Sequence, residues 1–302
     1  MKLSRRRLFG SLLALSAWPA TRLMAQGRAA ASRLSVEGYI FIQQQARLKQ
    51  TLAEGIDGFL DTVRDAGYRQ IELSDPFMMP ELRTRVLDGI AKRGLSMPSI
   101  YVGGAMHEER LADDTIARSV EIAKACRPLG CHAIVGNPSP KPASAEKTDE
   151  ELAVQARMLN RMGAALGEIG VEYWVHNHTP EMRSQAREWW HTLRNTDARR
   201  VRIALDIDWV HQGDQDPLAL LRAAGSRVAT LHLRNSTKKL WLETFTDGDV
   251  DYRPIANELR AMKIEPLLVV ELAYHPETTV SRSLLDNLRM GREYAERVFA
   301  VR

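Results

Sequence analysis

Five apolar runs in this chain end in, or just before, side chains that bind metals or carry protons. IELS carries Glu72, EYWVH ends in His176, IALD ends in Asp206, VATLHL holds His232, and LLVVE ends in Glu271. Such groups are costly in apolar surroundings unless they are paired or metal-bound. Two imidazoles and two carboxylates, His176, Asp206, His232 and Glu271, make a cage for one divalent ion. Mixed nitrogen and oxygen donors suit Mn, Co, Zn or Fe better than Ca, and Mg is kept as a further choice. His178 lies two residues past His176, so in an extended segment the two share a face. It is a candidate to bind substrate or move a proton. Asn177, between them, points elsewhere.

These residues need a scaffold that brings distant segments to one place. Strands and helices alternate along the chain. RLSVEGYIFI reads as a strand, and LAEGIDGFLDTVRDAG as an amphipathic helix with Ile56, Phe59, Leu60 and Val63 at helical spacing. YRQIELS, LSMPSIYVG, HAIVGN, VEYWVHN, VRIALDID, RVATLHLRN and PLLVVELAY read as seven more strands. Helices are expected over 81–93, 109–126, 149–169, 181–193, 217–224, 254–262 and 281–299. Alternation of this kind implies parallel strands, and eight units imply a (β/α)8 TIM barrel, whose strand C-termini meet at one mouth. A doubly wound sheet would carry a glycine-rich phosphate turn, and no G-x-G-x-x-G is present.

The amino terminus reads as an address rather than as fold. MKLSRRRLFGSLLALSAWPATRLMA has a basic start and an apolar stretch shorter than the ~20 residues a span takes. Ser4-Arg5-Arg6-Arg7-Leu8-Phe9 is a twin-arginine pattern. The expectation is a signal peptide over 1–31, one barrel domain over 32–302, and a periplasmic or otherwise exported protein with no stable anchor after cleavage. The chain of 302 residues has 42 Lys and Arg against 38 Asp and Glu. Residues 1–31 hold six of the basic residues and no acid, so 36 face 38 in the remainder. A mildly acidic mature chain does not suit nucleic acid. Cys126 and Cys131 make no disulfide scaffold, although they could pair in an oxidising compartment.

The ordered set GYRQIELSDPF, WVHNHTPEM, IALDIDWVHQGDQDPLALL, HLRNS, TDGDVDY and VVELAYHPE resembles the xylose isomerase-like barrels, the sugar phosphate isomerase/epimerase group. The resemblance spans nearly all of the chain after the leader. It implies a divalent metal on His176, Asp206, His232 and Glu271, with Glu72 and Trp209 lining a sugar site and Glu271 as acid/base. Many epimerases of this group carry glutamate where His176 stands, so the two-glutamate mechanism is in doubt here. Some HNH-type relatives look like lyases or hydrolases of 3-keto-glycosides. The expected activity is therefore isomerisation or epimerisation of a sugar, with elimination from a 3-keto-glycoside and non-catalytic sugar binding as alternatives. A DNA-repair nuclease shares this barrel, but export and charge weigh against it. Of the remaining residues, His107 is a candidate to reach the mouth, and Asp208 is expected at the surface. Glu181 reads as a helix-start acid, and Trp189 and Trp190 as packing. Lys238, Lys239 and Trp241 lie in a long loop that reads as a lid or as a solvated cluster.

Overall fold

The structure is a computed structural model and describes residues 33–301, so the expected signal segment lies outside the described residues. Eight parallel strands close into a barrel: β1 (Leu34–Glu37), β2 (Ile71–Ser74), β3 (Ser99–Tyr101), β4 (Ala133–Gly136), β5 (Glu172–His176), β6 (Val201–Asp206), β7 (Val228–Leu233) and β8 (Leu267–Val270). Each strand pairs with its sequence neighbours, and β1 closes on β8 with Leu34 opposite Leu268 and Val36 opposite Val270. This is the (β/α)8 TIM barrel expected from the alternation. Among the described residues no helix is long and apolar enough to cross a membrane.

Strand parity explains how one fold supplies both a core and a site. Successive side chains point to opposite faces. One set, including Val36, Ile71, Leu73, Ile100, Ile134, Val175, Leu205, Leu231, Leu233, Leu268 and Val270, joins the large core shared with the helices. The other set points inward. Ala133, Val135, Trp174 and Ala204 form a separate small cluster with Tyr101 and Leu267 against it. Two residues further along the same faces stand His176 after Trp174 and Asp206 after Ala204. The strands thus alternate between an outer face that joins the helices and an inner face that mixes small residues such as Ala133 with large ones such as Trp174.

Several boundaries differ from expectation. RLSVEGYIFI is not one strand: it ends at Glu37, and Tyr39–Leu48 is helical. The apolar letters Tyr39 to Ile42 looked β-like, but Ile40 and Phe41 bury one side of a helix, and Phe41 stacks on Phe59 at 4.6 Å. The helix Thr179–Asn195 breaks at Arg183–Ala186, where Ser184, Gln185 and Ala186 take left-handed φ of 48°, 59° and 58°. Trp189 is buried and meets Trp190 edge-on at 5.0 Å, as packing requires. Cys126 and Cys131 are both free thiols. The Cys126 sulfur faces Met78 Sδ at 3.6 Å and the Cys131 sulfur faces the Ala133 carbonyl at 3.5 Å.

Candidate active site

Pairing register assembles the inner wall of the mouth. Asp206 of β6 lies opposite His232 of β7, and Glu37 of β1 lies opposite Glu72 of β2. Glu271 follows β8, where its N–H donates to the Leu233 carbonyl at 3.0 Å. Asn177 locks the ends of β5 and β6 together. Its amide donates to the Asp206 carbonyl at 3.1 Å and accepts the Asp206 N–H at 3.0 Å. That two-way bond replaces the next rungs of the ladder and fixes His176 against Asp206. The middle residue of His-Asn-His is therefore structural, and the flanking imidazoles face the mouth.

His176, Asp206, His232 and Glu271 are all buried, and each offers a donor atom within 4.8 Å of the others. Both ring nitrogens of His176 lack a protein partner. Its Nε2 lies 3.7 Å from Asp206 Oδ2, too far for a hydrogen bond. Burial holds this imidazole well below its ordinary pKa, helped by the neighbouring His232 and His178. A buried, neutral imidazole with two idle nitrogens costs stability unless something binds it. A divalent cation is the partner that this donor chemistry suits.

The other groups form a charged lattice. His232 Nδ1 lies 2.6 Å from Glu271 Oε2, and its Nε2 lies 3.1 Å from Glu72 Oε1. Burial opposes its protonation, but Glu72 and Glu271 outweigh burial and raise its pKa well above the ordinary value. Arg234 donates to Glu271 Oε1 and to Asp206 Oδ2, both at 3.1 Å. Its guanidinium carbon sits 4.5 Å from the Trp209 ring centroid and 4.9 Å from that of Trp241. Burial pushes the Asp206 carboxyl up to about 7 against the pull of Arg234. Glu271 is held well below the carboxylate range, because Arg234 and His232 overcome the effect of burial.

Above this lattice lies a cavity of about 430 Å³, lined by Glu37, Tyr39, Ile42, Ser74, Asp75, Pro76, Tyr101, His178, Trp209, Arg234, Trp241 and Glu271. His178 and Trp209 therefore stand where a substrate would. Their rings meet edge-on at 5.2 Å, and burial brings the His178 pKa down to about 4. The His178 N–H donates to Glu181 Oε2 at 2.8 Å, so Glu181 is a helix-start acid that also anchors His178.

Three expectations need correction. Glu72 is fully buried and lies outside the cavity lining; it accepts a bond from Ser99 Oγ and faces His232. His107 does not reach the mouth. It is buried outside the lining, with Glu108 at 3.6 Å. Asp208 is not at the surface: it is fully buried and accepts from Ser236 Oγ at 2.8 Å and from Gln212 at 3.3 Å. The short helix Ile207–Gln212, capped by Asp206, turns Asp208 inward. Glu37, Tyr39, Tyr101 and Arg234 also line the cavity, beside the expected residues. Glu37 ends β1, and burial, followed by Glu271 and Glu72, raises its carboxyl well above the usual range. Arg234 is two residues past His232 on one strand face, a parity signal that was legible. Trp241 comes from a hairpin of two-residue strands, Ser236–Thr237 and Leu240–Trp241, over the mouth.

The family model described as xylose isomerase-like TIM barrel matches residues 60–292. The chain belongs to this family. Inosose dehydratase from Lactiplantibacillus plantarum is 26% identical over 147 residues, 43% of this chain and 49% of the relative. A match of similar extent, 27% over 146 residues, is found with inosose dehydratase from Clostridium perfringens strain 13. The chain thus spans about half the length of the curated relatives it matches. A sugar phosphate isomerase/epimerase structure from Parabacteroides distasonis superposes with a TM-score of 0.70 at 17% identity, covering 89% of this chain and 99% of that one. At that identity the likeness shows the shared barrel.

Proposed function

We propose that this family member is an exported carbohydrate enzyme that moves a proton on the carbon next to a sugar carbonyl. The observation that carries the reading is the buried set His176, Asp206, His232 and Glu271, lying directly under a substrate-sized cavity that His178 and Glu271 both line. The four residues would hold one divalent metal, from Mn, Co, Zn, Fe or Mg, and when bound it would polarise a carbonyl or hydroxyl oxygen. His178, neutral near pH 7, is placed to accept the proton. Glu271, kept ionised by Arg234, faces the same space. Trp209 and Trp241 wall the cavity, with their rings against the guanidinium. Export rests on the twin-arginine pattern Ser4 to Phe9.

Isomerisation or epimerisation returns the proton to carbon. Elimination expels a neighbouring oxygen substituent instead, as in a 3-keto-glycoside lyase or hydrolase. The partial match to inosose dehydratases favours this second outcome, since a dehydratase expels oxygen as water. The strand-five imidazole at position 176, in place of a second acid/base carboxylate, points the same way.

The test is deuterium incorporation from D2O into keto-sugars and 3-keto-glycosides, followed by NMR with metal-loaded protein. Exchange that falls by about 100-fold or more in His178→Gln supports the reading. Aglycone release during exchange selects elimination. Sugar binding with no exchange and no release leaves a non-catalytic sugar-binding barrel and sinks the proposal.

A further inference from the structure

We infer that Glu72 is a positioning residue for the metal centre, holding the His232 ring so that Nδ1 is the nitrogen offered to the ion. This rests on the reading of His176, Asp206, His232 and Glu271 as a metal cage, and adds a residue that touches neither the ion nor the substrate. The place of Glu72 needs an explanation. It stands on the inner face of β2, fully buried and outside the cavity lining. A carboxylate taken out of water is costly unless it is paired. Among the described residues no Lys or Arg forms an ion pair with it, and its one ion-pair partner is His232.

The two carboxyl oxygens have separate partners. Oε2 accepts a hydrogen bond from the hydroxyl of Ser99 on the neighbouring strand β3. Oε1 faces His232 Nε2 at 3.1 Å, and neither of these two atoms has a hydrogen-bond partner elsewhere among the described residues. β2 and β7 are not neighbours in the barrel, so this contact crosses its interior. Ser99 thus steadies one oxygen while the other is turned onto the imidazole.

The nitrogens of His232 divide in the same way. Nδ1 lies 2.6 Å from Glu271 Oε2, within the donor set, and Nε2 faces Glu72, outside it. An imidazole that gives one nitrogen to a metal carries its proton on the other, and a carboxylate beside that N–H fixes the tautomer and the orientation of the ring. Glu72 stands where that carboxylate belongs. The other imidazole of the cage provides the contrast. Neither nitrogen of His176 has a protein partner, and its ring is oriented by contacts with the rings of Tyr101 at 5.5 Å and His178 at 4.7 Å. Of the two nitrogen donors, His232 is the one held in advance by a charged group.

The test is the affinity of the metal-stripped protein for Zn²⁺ and Co²⁺, read by competition with a chromophoric chelator, with the visible absorption of the Co²⁺ form as a report on the ligand geometry. Glu72→Gln keeps the size of the side chain and removes its charge. It should bind both ions about 10–100-fold more weakly than wild type and shift the Co²⁺ bands. Ser99→Ala frees Oε2 and should weaken binding in the same direction, by about threefold or more; it decides the matter if Glu72→Gln does not fold. Thr230→Val is the control. Thr230 lies two residues before His232 on the same face of β7, and its buried hydroxyl also lacks a partner. This variant should bind metal within about twofold of wild type, which separates Glu72 from a general effect of interior polarity. A folded Glu72→Gln that binds metal as tightly as wild type with unchanged Co²⁺ bands, or a Thr230→Val weakened as much as Glu72→Gln, overturns the inference and leaves the cage standing. Wild type that takes up neither ion overturns both.

Discussion

Arg234→Met tests whether a buried cation holds the mouth together. Methionine keeps an apolar contact with the Trp209 and Trp241 rings and removes the charge. What is lost is two charge-assisted bonds at 3.1 Å, to Asp206 and Glu271, and a contact at 3.7 Å to Asp208. Three buried carboxylates then face one another with His232 as the remaining cation in their midst. Removing one partner from a buried ion pair costs about 3–5 kcal/mol. The cation–π contacts at 4.5 and 4.9 Å add up to roughly 2 kcal/mol, which overlaps with that figure because the same groups are involved. For a chain of this size, about 3–5 kcal/mol corresponds to a Tm lower by roughly 6–20 °C. The assay is thermal and urea unfolding of wild type and variant in chelator, repeated with added Mn²⁺ or Zn²⁺. A divalent ion replaces part of the missing positive charge, so the gap between the proteins should narrow with metal. A loss under about 1 kcal/mol in chelator, or a gap that metal leaves unchanged, would refute the reasoning.

Two further outcomes follow from particular contacts. Gly163→Ala sits in the helix Asp149–Gly167, where propensity alone favours alanine by about 1 kcal/mol. Its Cβ would come within 2.1 Å of the Arg200 carbonyl, so the variant should instead lose roughly 1–3 kcal/mol in urea unfolding. Glu243 is held at about 2: burial would raise it, but Ser281, Asn287 and Arg282 outweigh burial. A depressed carboxyl contributes stability above its unfolded pKa and loses it as pH falls through the folded value. Wild type should therefore lose stability between pH 4.5 and about 2. Glu243→Gln should be less stable at pH 7 and show a shallower acid slope; equal slopes would count against the pairing.

The barrel was legible because strands and helices alternate along the chain and each βα unit carries its own period. The four donor residues were legible because each polar group stands at or next to the end of an apolar run. Glu37 was hidden because Tyr39, Ile40, Phe41 and Ile42 prolong the apolar run into a helix, which masked where β1 ends. Asp208 was misplaced because the turn of one short helix, not strand parity, decides its direction. His107 and Glu72 were assigned by position in a loop or strand, and neither position fixes depth below the mouth. The role of Asn177 could not be read from its type, since a side chain bridging two strand ends depends on a register between segments some thirty residues apart.

Metal content tests the central claim most directly. It should be measured by elemental analysis on protein purified without a metal-affinity tag, beside His176→Ala/His232→Ala. The account predicts about one divalent transition metal per wild-type chain and its loss from a folded double variant. Metal-free wild type that also fails to take up Mn²⁺, Co²⁺ or Zn²⁺ on reconstitution, or a double variant that binds metal as well as wild type, would contradict it.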